Sequence, residues 1–356
     1  MLHSFLTWLS RIHIGRWTSP ADWLAAAEHV CRRQWKHPPS LPLADHIGLI
    51  ARLHRHKDSK RLRFWHRASL VLALPPEETA AQLAPPKGLP MSIEWGVAAY
   101  AALKAGQSCD TPWIHDLASE FLRLAENADG TLPYSASLPH LRLVDTLWMA
   151  CPFLYRYGTM AEDARYTLLA RRQLEDYLAR GLHPVTGLPA HSFALADGSP
   201  VGIYGWGRGC AFLLISLIES AELPDNPDRA WLIEQALACG ENILRIQLPD
   251  GGWPWLPLAE DFPEASATAM LGYAFARLAA WKGNKAFCEA AVQAQACLMT
   301  MTRRDGTIDL AQGDTMGIGL YSARRAPMPL AQGYGVRLGK ALAGNRLMEY
   351  YFSFKQ

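Results

Sequence analysis

One aspartate on an otherwise apolar helical face is the first residue of this chain whose setting suggests catalysis. In the segment LRLVDTLWMACPFLYRYG (141–158), Asp145 follows a leucine by four residues and precedes a tryptophan and a methionine by three and four. Residues at these spacings share one face of a helix. Burial of a carboxyl group among apolar side chains favours the protonated form that a general acid needs. The alternative is a structural role, in which Asp145 pairs with Arg142 or caps a neighbouring helix.

A second candidate site is the glycine-rich segment IYGWGRGCAFLLISL (203–217). Its alternating glycines allow the backbone to approach a ligand closely. Arg208 offers a planar, two-pronged donor for a carboxylate, and Trp206 offers a ring for stacking. No strand-like pattern precedes the segment, which argues against a dinucleotide-binding fingerprint. The alternative is an ordinary helix N-terminus with a buried tryptophan and a surface arginine.

Five further residues accompany these segments. His191 in GLPAHSF and His140 in SLPHLRL follow Gly/Pro-rich turns, although isolated histidines are more often bystanders than ligands. Glu264 in PEASATAM lies at the start of a predicted helix before small residues, and we interpret it as structural. Trp253 and Trp255 in DGGWPW either wall a sugar site or fill one end of the fold.

The elements that must position these residues are predominantly helical, because most long segments repeat apolar residues at helical spacing and none of comparable length alternates with period two. Between them, similar Gly/Pro-rich turns recur, which can be marked by one residue each: Pro42, Gly88, Gly130, Gly187, Gly251 and Gly306. Successive marks are 46, 42, 57, 64 and 55 residues apart, each long enough for two helices and their connections.

Six helical hairpins therefore account for the chain. Repeated hairpins either stack as an open solenoid or close on themselves. Six hairpins that fill the whole sequence favour closure, so we predict an all-α fold, an (α/α)6 barrel formed by a single domain over residues 1–356. The loops that lead into the inner helices would converge on a funnel, where the tryptophans, histidines and aspartates gather.

Composition excludes several classes of function. The 35 Lys and Arg nearly balance 33 Asp and Glu, so no overall field favours nucleic acid or an anionic membrane as a partner. A basic run from Arg52 to Arg67 is either a docking strip for a polyanion or a solvated outer face.

The seven cysteines show no metal-ligand spacing and are expected to be reduced, and we predict neither metal nor cofactor. The first 20 residues do not fit a secretory signal, which predicts a cytoplasmic protein.

Taken together, five segments resemble glycoside hydrolase family 105, the unsaturated glucuronyl and rhamnogalacturonyl hydrolases, which is related to family 88. The segments are VDTLWMACPFL (144–154), GLPAHSF (187–193), GWGRGCAFLLISL (205–217), DGGWPW (250–255) and PEASATAMLGYAFARL (263–278). The family fold is an (α/α)6 barrel, in agreement with the hairpin count. The resemblance implies an enzyme that hydrates the C4=C5 double bond of a 4-deoxy uronic acid on a small oligosaccharide and thereby releases the remaining saccharide.

The resemblance also implies roles for single residues. Asp145 matches the catalytic aspartate of the family, His191 its active-site histidine, Trp206 a stacking tryptophan and Arg208 the arginine of the WGRG motif.

Three positions depart from the family pattern. Phe212 stands where a tryptophan is usual, Glu94 is the nearest candidate for a second acidic residue, and Asp45 stands near an aromatic position of the first inner helix. We include these three and His140 among the predicted substrate-binding residues.

Two other functions fit the same elements. An inactive barrel that binds anionic sugars would keep Trp206 and Arg208 without turnover, but the presence of Asp145 and His191 beside them argues against it. A different helical toroid enzyme, such as a sugar epimerase or a zinc-dependent cyclase, would need paired histidines or Cys/His ligands, for which the sequence offers no pattern.

Overall fold

The computed structural model describes residues 14–36, 68–79, 83–85, 91–126, 128–257, 262–315 and 317–344. In chain order its helices are α1 (Pro20–Lys36), α2 (Pro76–Thr79), α3 (Trp95–Lys104), α4 (Pro112–Glu126), α5 (Val144–Met160), α6 (Ala164–Arg180), α7 (Gly207–Ser220), α8 (Arg229–Leu244), α9 (Ala265–Lys282), α10 (Lys285–Thr300) and α11 (Pro329–Ala343). The strands are β1 (Leu141–Leu143), β2 (Ala190–Ala194), β3 (Pro200–Tyr204), β4 (Ala311–Gln312) and β5 (Arg325–Ala326).

Buried and half-buried helices alternate along the chain. Every residue of α7 is buried, and so are the first twelve residues of α9, from Ala265 to Ala276. By contrast, α6 buries one stripe, which includes Tyr166, Ala170, Leu174 and Tyr177 at helical spacing. A helix that is apolar all round lies inside a protein, whereas a single stripe indicates a helix with one solvent-exposed face. The helices α3, α5, α7, α9 and α11 thus form an inner layer, and α4, α6, α8 and α10 lie outside it.

The inner helices run parallel, so that their N-terminal ends meet at one end of the structure. Trp148 near the start of α5 stacks on Phe212 near the start of α7, with 5.1 Å between ring centroids. Its indole N–H also donates to the hydroxyl of Tyr334 near the start of α11, at 3.1 Å. At the opposite end, Lys104, the last residue of α3, lies 3.5 Å from Glu219 near the end of α7.

These two layers form an (α/α)6 barrel, which confirms the predicted fold class. At the sixth inner position the structure describes a helical turn, residues 68–71. This turn packs on the start of α11, where the Ser69 hydroxyl donates to the carbonyl of Pro329 at 3.2 Å. On the outer side of α11 lies α1, whose Ala27 carbonyl accepts a hydrogen bond from Gln332 at 2.8 Å. The last inner helix therefore packs on the first part of the chain, as closure of a barrel requires.

The recurring Gly/Pro-rich turns follow the outer helices and lead the chain towards the next inner helix. Four of them place a glycine in the left-handed region, at φ values between +66° and +89°: Gly130, Gly187, Gly251 and Gly306. Glycine adopts this conformation without the steric cost that other residues incur, which explains why it recurs there. Of the two remaining predicted turns, that at 41–43 lies outside the described residues, as does that at 87–91 except for its last residue.

A three-stranded antiparallel sheet lies at the barrel end where the inner helices begin. Leu143 of β1 pairs with Ser192 of β2, and Ala190 of β2 pairs with Tyr204 of β3. The absence of a strand before the glycine-rich segment at 203–217 was a wrong expectation, because β3 leads directly into that segment. In addition, β1 pairs with β2 although α5 and α6 separate them along the chain. The strands are only three to five residues long, and β2 is buried on both faces, so no period-two pattern marks them.

All seven cysteines are free, six are buried, and Cys109 is partly exposed. Burial raises the pKa of the Cys31 thiol to about 12, in keeping with an inert, protonated side chain. Within the described parts of the chain, no helix combines the length and the apolar character needed to cross a membrane.

Candidate active site

Asp145 lies at the mouth of the barrel because β1 leads directly into α5. Leu143, the last residue of β1, is the N-cap of α5, and Asp145 is in the first turn of the helix. Its side chain is only 11% exposed, and no described residue forms a hydrogen bond with its Oδ2 atom. The partial positive charge of the helix N-terminus favours a carboxylate there, whereas burial opposes it. The Oδ2 atom of Asp145 is thus buried and lacks a hydrogen-bond partner among the described residues.

His191 is brought to Asp145 by the pairing of β1 with β2. Since Leu143 pairs with Ser192, the adjacent His191 faces the start of α5, and its Nε2 lies 3.3 Å from Asp145 Oδ2. The imidazole is 2% exposed on its side chain and packs against Trp206, with 4.7 Å between the ring centroids. Asp145 and His191, the two residues that the family resemblance identified as the catalytic aspartate and the active-site histidine, are therefore in direct contact.

Tyr321, which the sequence analysis did not identify, completes this contact from the loop between β4 and β5. Its Oη lies 2.9 Å from Nδ1 of His191 and accepts the backbone N–H of Ile203 at 3.2 Å. Burial, reinforced by the charge of Asp145, raises the pKa of Tyr321 to about 12 although the bond from Ile203 acts in the opposite direction. The hydroxyl is therefore protonated at neutral pH. No motif marks Tyr321, which is 130 residues from His191 in the chain.

The structural alternative for Asp145, a pair with Arg142, is wrong. Arg142 is fully buried, and its guanidinium donates to Asp129 at 2.7 Å, to the hydroxyl of Thr131 at 2.6 Å and to the carbonyl of Pro139 at 2.9 Å. Burial acts to raise the pKa of Asp129, but hydrogen bonds from Thr131 and Arg142 outweigh it and lower the pKa overall. Arg142 therefore holds the turn before β1 together and is not the ionic partner of Asp145.

The WGRG segment lies at the start of α7, where its side chains are bound by the protein's own main chain. Arg208 donates from Nη1 to the carbonyl of Gln312 at 2.6 Å and from Nη2 to that of Gly313 at 2.8 Å. Trp206 donates from Nε1 to the side chain of Gln312 at 3.0 Å and is 1% exposed. Arg208 is 3% exposed, so it is not the surface arginine of the structural alternative, and two of its five N–H groups bind the protein's own carbonyls.

Phe212 is one turn further into the barrel and is 2% exposed. It stacks on Trp148 and meets Trp206 edge to face, with 5.7 Å between the centroids. These three rings form an aromatic wall directly below the Asp145–His191 pair.

The remaining predicted residues are dispersed. Glu94 is the N-cap of α3, is 3% exposed, and accepts hydroxyl hydrogen bonds from Tyr134 at 2.7 Å and Ser92 at 2.8 Å. It therefore lies at the same barrel end as Asp145 but with both oxygens engaged. His140 is exposed just before β1. Asp45 and the basic run 52–67 lie outside the described residues.

Glu264 has the structural role that the sequence predicted. It is fully buried as the N-cap of α9, where it accepts the backbone N–H groups of Ser266 and Ala267, each at 2.8 Å. Trp253 is also fully buried and stacks on Phe275 in the core at a centroid distance of 5.2 Å. Trp255, in contrast, is half-buried and lies 5.9 Å from the ring of Tyr321, on the side of the mouth.

The assembled site contains one carboxyl group, one imidazole and one phenol in series, above an aromatic wall. Such a set can transfer a proton to or from a bound molecule, since each of these groups can act in acid–base chemistry. Across the parts of the chain that the structure describes, no group of three or more His, Cys, Asp or Glu residues is arranged to hold a metal ion.

Comparisons with known proteins agree with this fold. The sequence profile of Glycosyl Hydrolase Family 88 matches residues 105–335, a span that includes Asp145, His191, Arg208 and Tyr321. A protein from Salmonella enterica serovar Paratyphi A, described as a possible member of the GH105 family, superposes with a TM-score of 0.64 at 18% identity over 92% of this chain and 83% of its own.

Two further solved structures share the fold. The unsaturated glucuronyl hydrolase responsible for degradation of glycosaminoglycan from Bacillus sp. GL1 gives a TM-score of 0.58 at 14% identity, over 92% of this chain and 87% of its own. A polysaccharide lyase gives a TM-score of 0.63 at 13% identity, over 94% of this chain and 99% of its own. At such identities these structures show the fold alone. No curated protein sequence matches the chain.

The family profile covers well over half of the chain and all of the described Asp145–His191–Tyr321 contact. We conclude that the chain belongs to glycosyl hydrolase family 88.

Proposed function

We propose that this protein hydrates the C4=C5 double bond of a 4-deoxy uronic acid at the end of a small oligosaccharide and so releases the remaining saccharide. The observation that carries the proposal is the buried carboxyl of Asp145, whose Oδ2 has no hydrogen-bond partner among the described residues and lies 3.3 Å from His191. Membership of a glycosyl hydrolase family supports a sugar substrate. The resemblance to unsaturated uronyl hydrolases supports the type of reaction.

In this reaction Asp145 acts first as an acid. Its carboxyl proton is transferred to C4 of the vinyl ether, which leaves oxocarbenium character at C5. Water then adds to C5, and the carboxylate of Asp145 accepts the proton that this water loses. The resulting hemiketal opens to a ketone at C5 and a hemiacetal at C1, and this hemiacetal collapses to an aldehyde as the remaining saccharide leaves with a proton. A single carboxyl group therefore serves both steps, so the two-carboxylate arrangement of ordinary glycosidases is not required.

His191 and the start of α5 would stabilise Asp145 between these two steps. Once the proton has left, the carboxylate lies in the first turn of α5, where the helix dipole favours negative charge. An N–H on Nε2 of His191 would donate to it across the 3.3 Å that separates the two atoms. Both effects are strongest for the charged carboxylate, so they favour the state that follows proton transfer over the starting state.

The other predicted residues would shape the substrate site. Trp206 and Phe212 are nearly fully buried, so we assign them to its wall rather than to an exposed stacking platform. Glu94 lies at the same barrel end, and His140 is exposed just before β1, which suits a contact with the part of the oligosaccharide that remains outside. Arg208 already binds two main-chain carbonyls, so we assign it to holding the segment at 312–313 in place.

Replacement of Asp145 by Asn tests the central assignment. The substrate is an unsaturated uronyl disaccharide prepared with a polysaccharide lyase, and its loss of ultraviolet absorbance measures turnover. Asp145→Asn keeps the shape of the side chain but has no proton to transfer, so we expect kcat to fall by about 10²–10⁴-fold while the disaccharide still binds. Asp116→Asn, on the exposed face of α4, is the matched control and should retain full activity.

Two outcomes would contradict the proposal. Substantial activity in Asp145→Asn would transfer the catalytic role to another acid, with Glu94 first at the same barrel end. Binding of the disaccharide by the unaltered protein without any turnover would favour an inactive sugar-binding barrel.

Reaction in heavy water tests the chemistry independently of any variant. If Asp145 delivers a solvent-exchangeable proton, the product carries deuterium at C4, and loss of ultraviolet absorbance coincides with release of the saccharide. Direct cleavage of the glycosidic bond would give neither result. A product with only protium at C4, or a released saccharide with its double bond intact, would refute hydration.

A further inference from the structure

A segment from the last repeat reaches across the mouth of the barrel to His191. We call residues 311–326 the strap; it comprises β4, β5 and the loop between them, and its residue 316 lies outside the described residues. The strap is fastened to the start of α7 by Arg208, which donates to two of its carbonyls, and by Trp206, which donates to the side chain of Gln312. It is also fastened to α9, because Glu264 accepts the backbone N–H of Gln312 at 2.7 Å.

The two ends of the strap are bound to each other as well. Gln312 donates from Nε2 to the carbonyl of Ser322, and the backbone N–H of Gly313 donates to the carbonyl of Arg324, each at 2.9 Å. Tyr321 directly precedes this anchored segment. Two sets of hydrogen bonds therefore determine the position of Tyr321 above His191: those that bind Gln312 and Gly313 to α7 and α9, and those that bind Gln312 and Gly313 to Ser322 and Arg324.

The phenol of Tyr321 fits closely between β2 and β3. A Cβ atom at Gly202 would lie 3.0 Å from Tyr321 Oη and 2.9 Å from the Cβ of His191, so only glycine allows the two side chains to meet here. Gly202 has a φ of +85°. The next residue, Ile203, donates its backbone N–H to Tyr321 Oη.

We propose that Tyr321 is a positioning residue, which donates its hydroxyl hydrogen to Nδ1 of His191 and thereby keeps the proton of the neutral imidazole on Nε2, facing Asp145. The inference rests on the proposed function for its catalytic consequence, while the protonation of the ring can be measured without substrate.

The direction of the hydrogen bond follows from its neighbours. A backbone N–H is always a donor, so Tyr321 Oη is the acceptor from Ile203 and keeps its own hydrogen for another partner. The acceptor at 2.9 Å is Nδ1 of His191. A neutral imidazole that accepts at Nδ1 carries its hydrogen on Nε2. In the other tautomer, Nε2 would carry a lone pair instead of a hydrogen. This lone pair would face the carboxylate that Asp145 forms after proton transfer, and the repulsion between them would destabilise the carboxylate.

The groups that face His191 come from four elements. Asp145 approaches from α5, Trp206 from the start of α7 and Tyr321 from the strap. Tyr177 of α6 donates its hydroxyl to the carbonyl of Ala190 beside the histidine. Burial, with the charge of Asp145 acting in the same direction, raises the pKa of Tyr177 well above its ordinary value, so this phenol also stays neutral.

Nitrogen NMR of the intact protein tests the tautomer directly. The protein is labelled with ¹⁵N in histidine only, and two-bond ¹H–¹⁵N correlations distinguish protonated from unprotonated ring nitrogens. His191 is assigned by the signals that His191→Asn removes. We expect a protonated Nε2 and an unprotonated Nδ1 in the wild type, and a shift of both signals towards a mixture of tautomers in Tyr321→Phe.

Steady-state kinetics on the same proteins test the consequence. Loss of one hydrogen bond to the ring should lower kcat by ~10-fold in Tyr321→Phe, with a smaller effect on KM. The matched control is Tyr157→Phe, because Tyr157 Oη lies 2.7 Å from Nδ1 of His115 in a second tyrosine–histidine pair. That tyrosine is twelve residues beyond Asp145 on α5, a distance of about 18 Å along the helix. The control should leave both the His191 signals and kcat unchanged.

The outcomes separate this inference from the proposed function. A wild-type His191 with its proton on Nδ1 would overturn the inference even if Tyr321→Phe failed to fold. Unchanged His191 signals in a folded Tyr321→Phe protein, or altered signals with unchanged kcat, would overturn it as well. Activity retained by Asp145→Asn would instead contradict the proposed function and leave the measured tautomer as it is.

Discussion

Arg208 illustrates how a residue suited to bind a ligand can be occupied by the protein itself. Its planar guanidinium donates to two successive carbonyls, those of Gln312 and Gly313. The central Cζ atom of the guanidinium lies 5.2 Å from the ring centroid of Trp206. A guanidinium can satisfy two parallel acceptors at once, whereas an ammonium group acts as a single point charge. The charge of Arg208 therefore fastens the strap over the site.

Replacement of Arg208 by Lys should weaken this attachment even though the charge is kept. One of two charge-assisted hydrogen bonds would be lost inside the protein, so we expect the free energy of unfolding to fall by about 1.5–3 kcal/mol, measured by urea denaturation. We also expect kcat to fall, because Tyr321 lies on the strap. Arg165→Lys, at an exposed arginine on α6, is the control and should have little effect on stability. Unchanged stability with a raised KM would instead assign Arg208 to the substrate.

At the scale of single residues, sequence predicted the groups whose chemistry is local and missed those defined by distant contacts. Asp145 is recognisable because a carboxylate on an apolar face needs an explanation, and the structure places it beside His191 as the resemblance implied. Tyr321 lies in a loop and Gln312 in the two-residue strand β4, no motif marks either residue, and their importance comes from partners more than 100 residues away. The engagement of Arg208 was equally invisible, since its acceptors are main-chain atoms.

Among the elements, the hairpin of β2 and β3 does most to set the geometry of the site. Between the pairs Ala190–Tyr204 and Ser192–Val201, β3 contains one residue more than β2, so the hairpin has a bulge opposite His191. Gly202 occupies this bulge at a φ of +85°. The bulge turns the strand so that His191 and Tyr321 pack against a glycine.

Two glycine variants in this hairpin separate backbone strain from steric displacement. Gly198 also has a positive φ, +73°, but a Cβ there would meet no other atom within 4 Å. Both Gly202→Ala and Gly198→Ala should therefore lose about 1 kcal/mol of stability from backbone strain alone. Only Gly202→Ala should also lower kcat/KM, since its methyl group would push His191 and Tyr321 apart. Equal activity in the two variants would show that the close approach at Gly202 is unimportant for function.

The sequence was informative about helices and turns and uninformative about this sheet. Outer helices bury a stripe with a clear 3.6-residue period, and the turns after them keep a glycine in the left-handed region. Strands of three to five residues provide too few positions for a period-two pattern, and β1 and β2 are joined only through long-range pairing. The elements that place Asp145 and His191 together were thus predicted only in part.

For the whole molecule, the barrel is closed at the end opposite the site by a buried charged cluster. Glu219 of α7 pairs with Arg337 of α11 and accepts hydrogen bonds from Tyr100 of α3 and, at 3.1 Å, from Tyr273 of α9. Lys104 lies 3.5 Å from Glu219. Four inner helices therefore meet at one carboxylate, about 17 Å along α7 from Arg208 at the mouth.

Removal of the charge of Glu219 should destabilise the whole barrel. Glu219→Gln leaves Arg337 buried without its ionic partner, so the free energy of unfolding at pH 7 should fall by about 3–5 kcal/mol in urea denaturation. Glu175→Gln is the matched control, because Glu175 is half-exposed and forms an ordinary ion pair with Arg171 on the outer helix α6. The control should lose no more than about 0.5 kcal/mol.

The same cluster predicts how this stability depends on pH. Burial alone would raise the pKa of Glu219, but the charges of Arg337 and Lys104 and the hydrogen bonds from Tyr100 and Arg337 outweigh it, so the pKa in the folded protein lies well below its ordinary value. The unfolded chain therefore binds the proton first as the pH falls. The contribution of Glu219 to the free energy of unfolding is thus fully present above its pKa in the unfolded chain, about 4.3, and is lost progressively below that pH. The difference in stability between wild type and Glu219→Gln should thus be constant from pH 7 to about 5 and should narrow as the pH falls further. Urea denaturation of both proteins at several pH values measures this difference, and a difference that stayed constant down to about pH 3 would show that Glu219 does not stabilise the barrel through its charge.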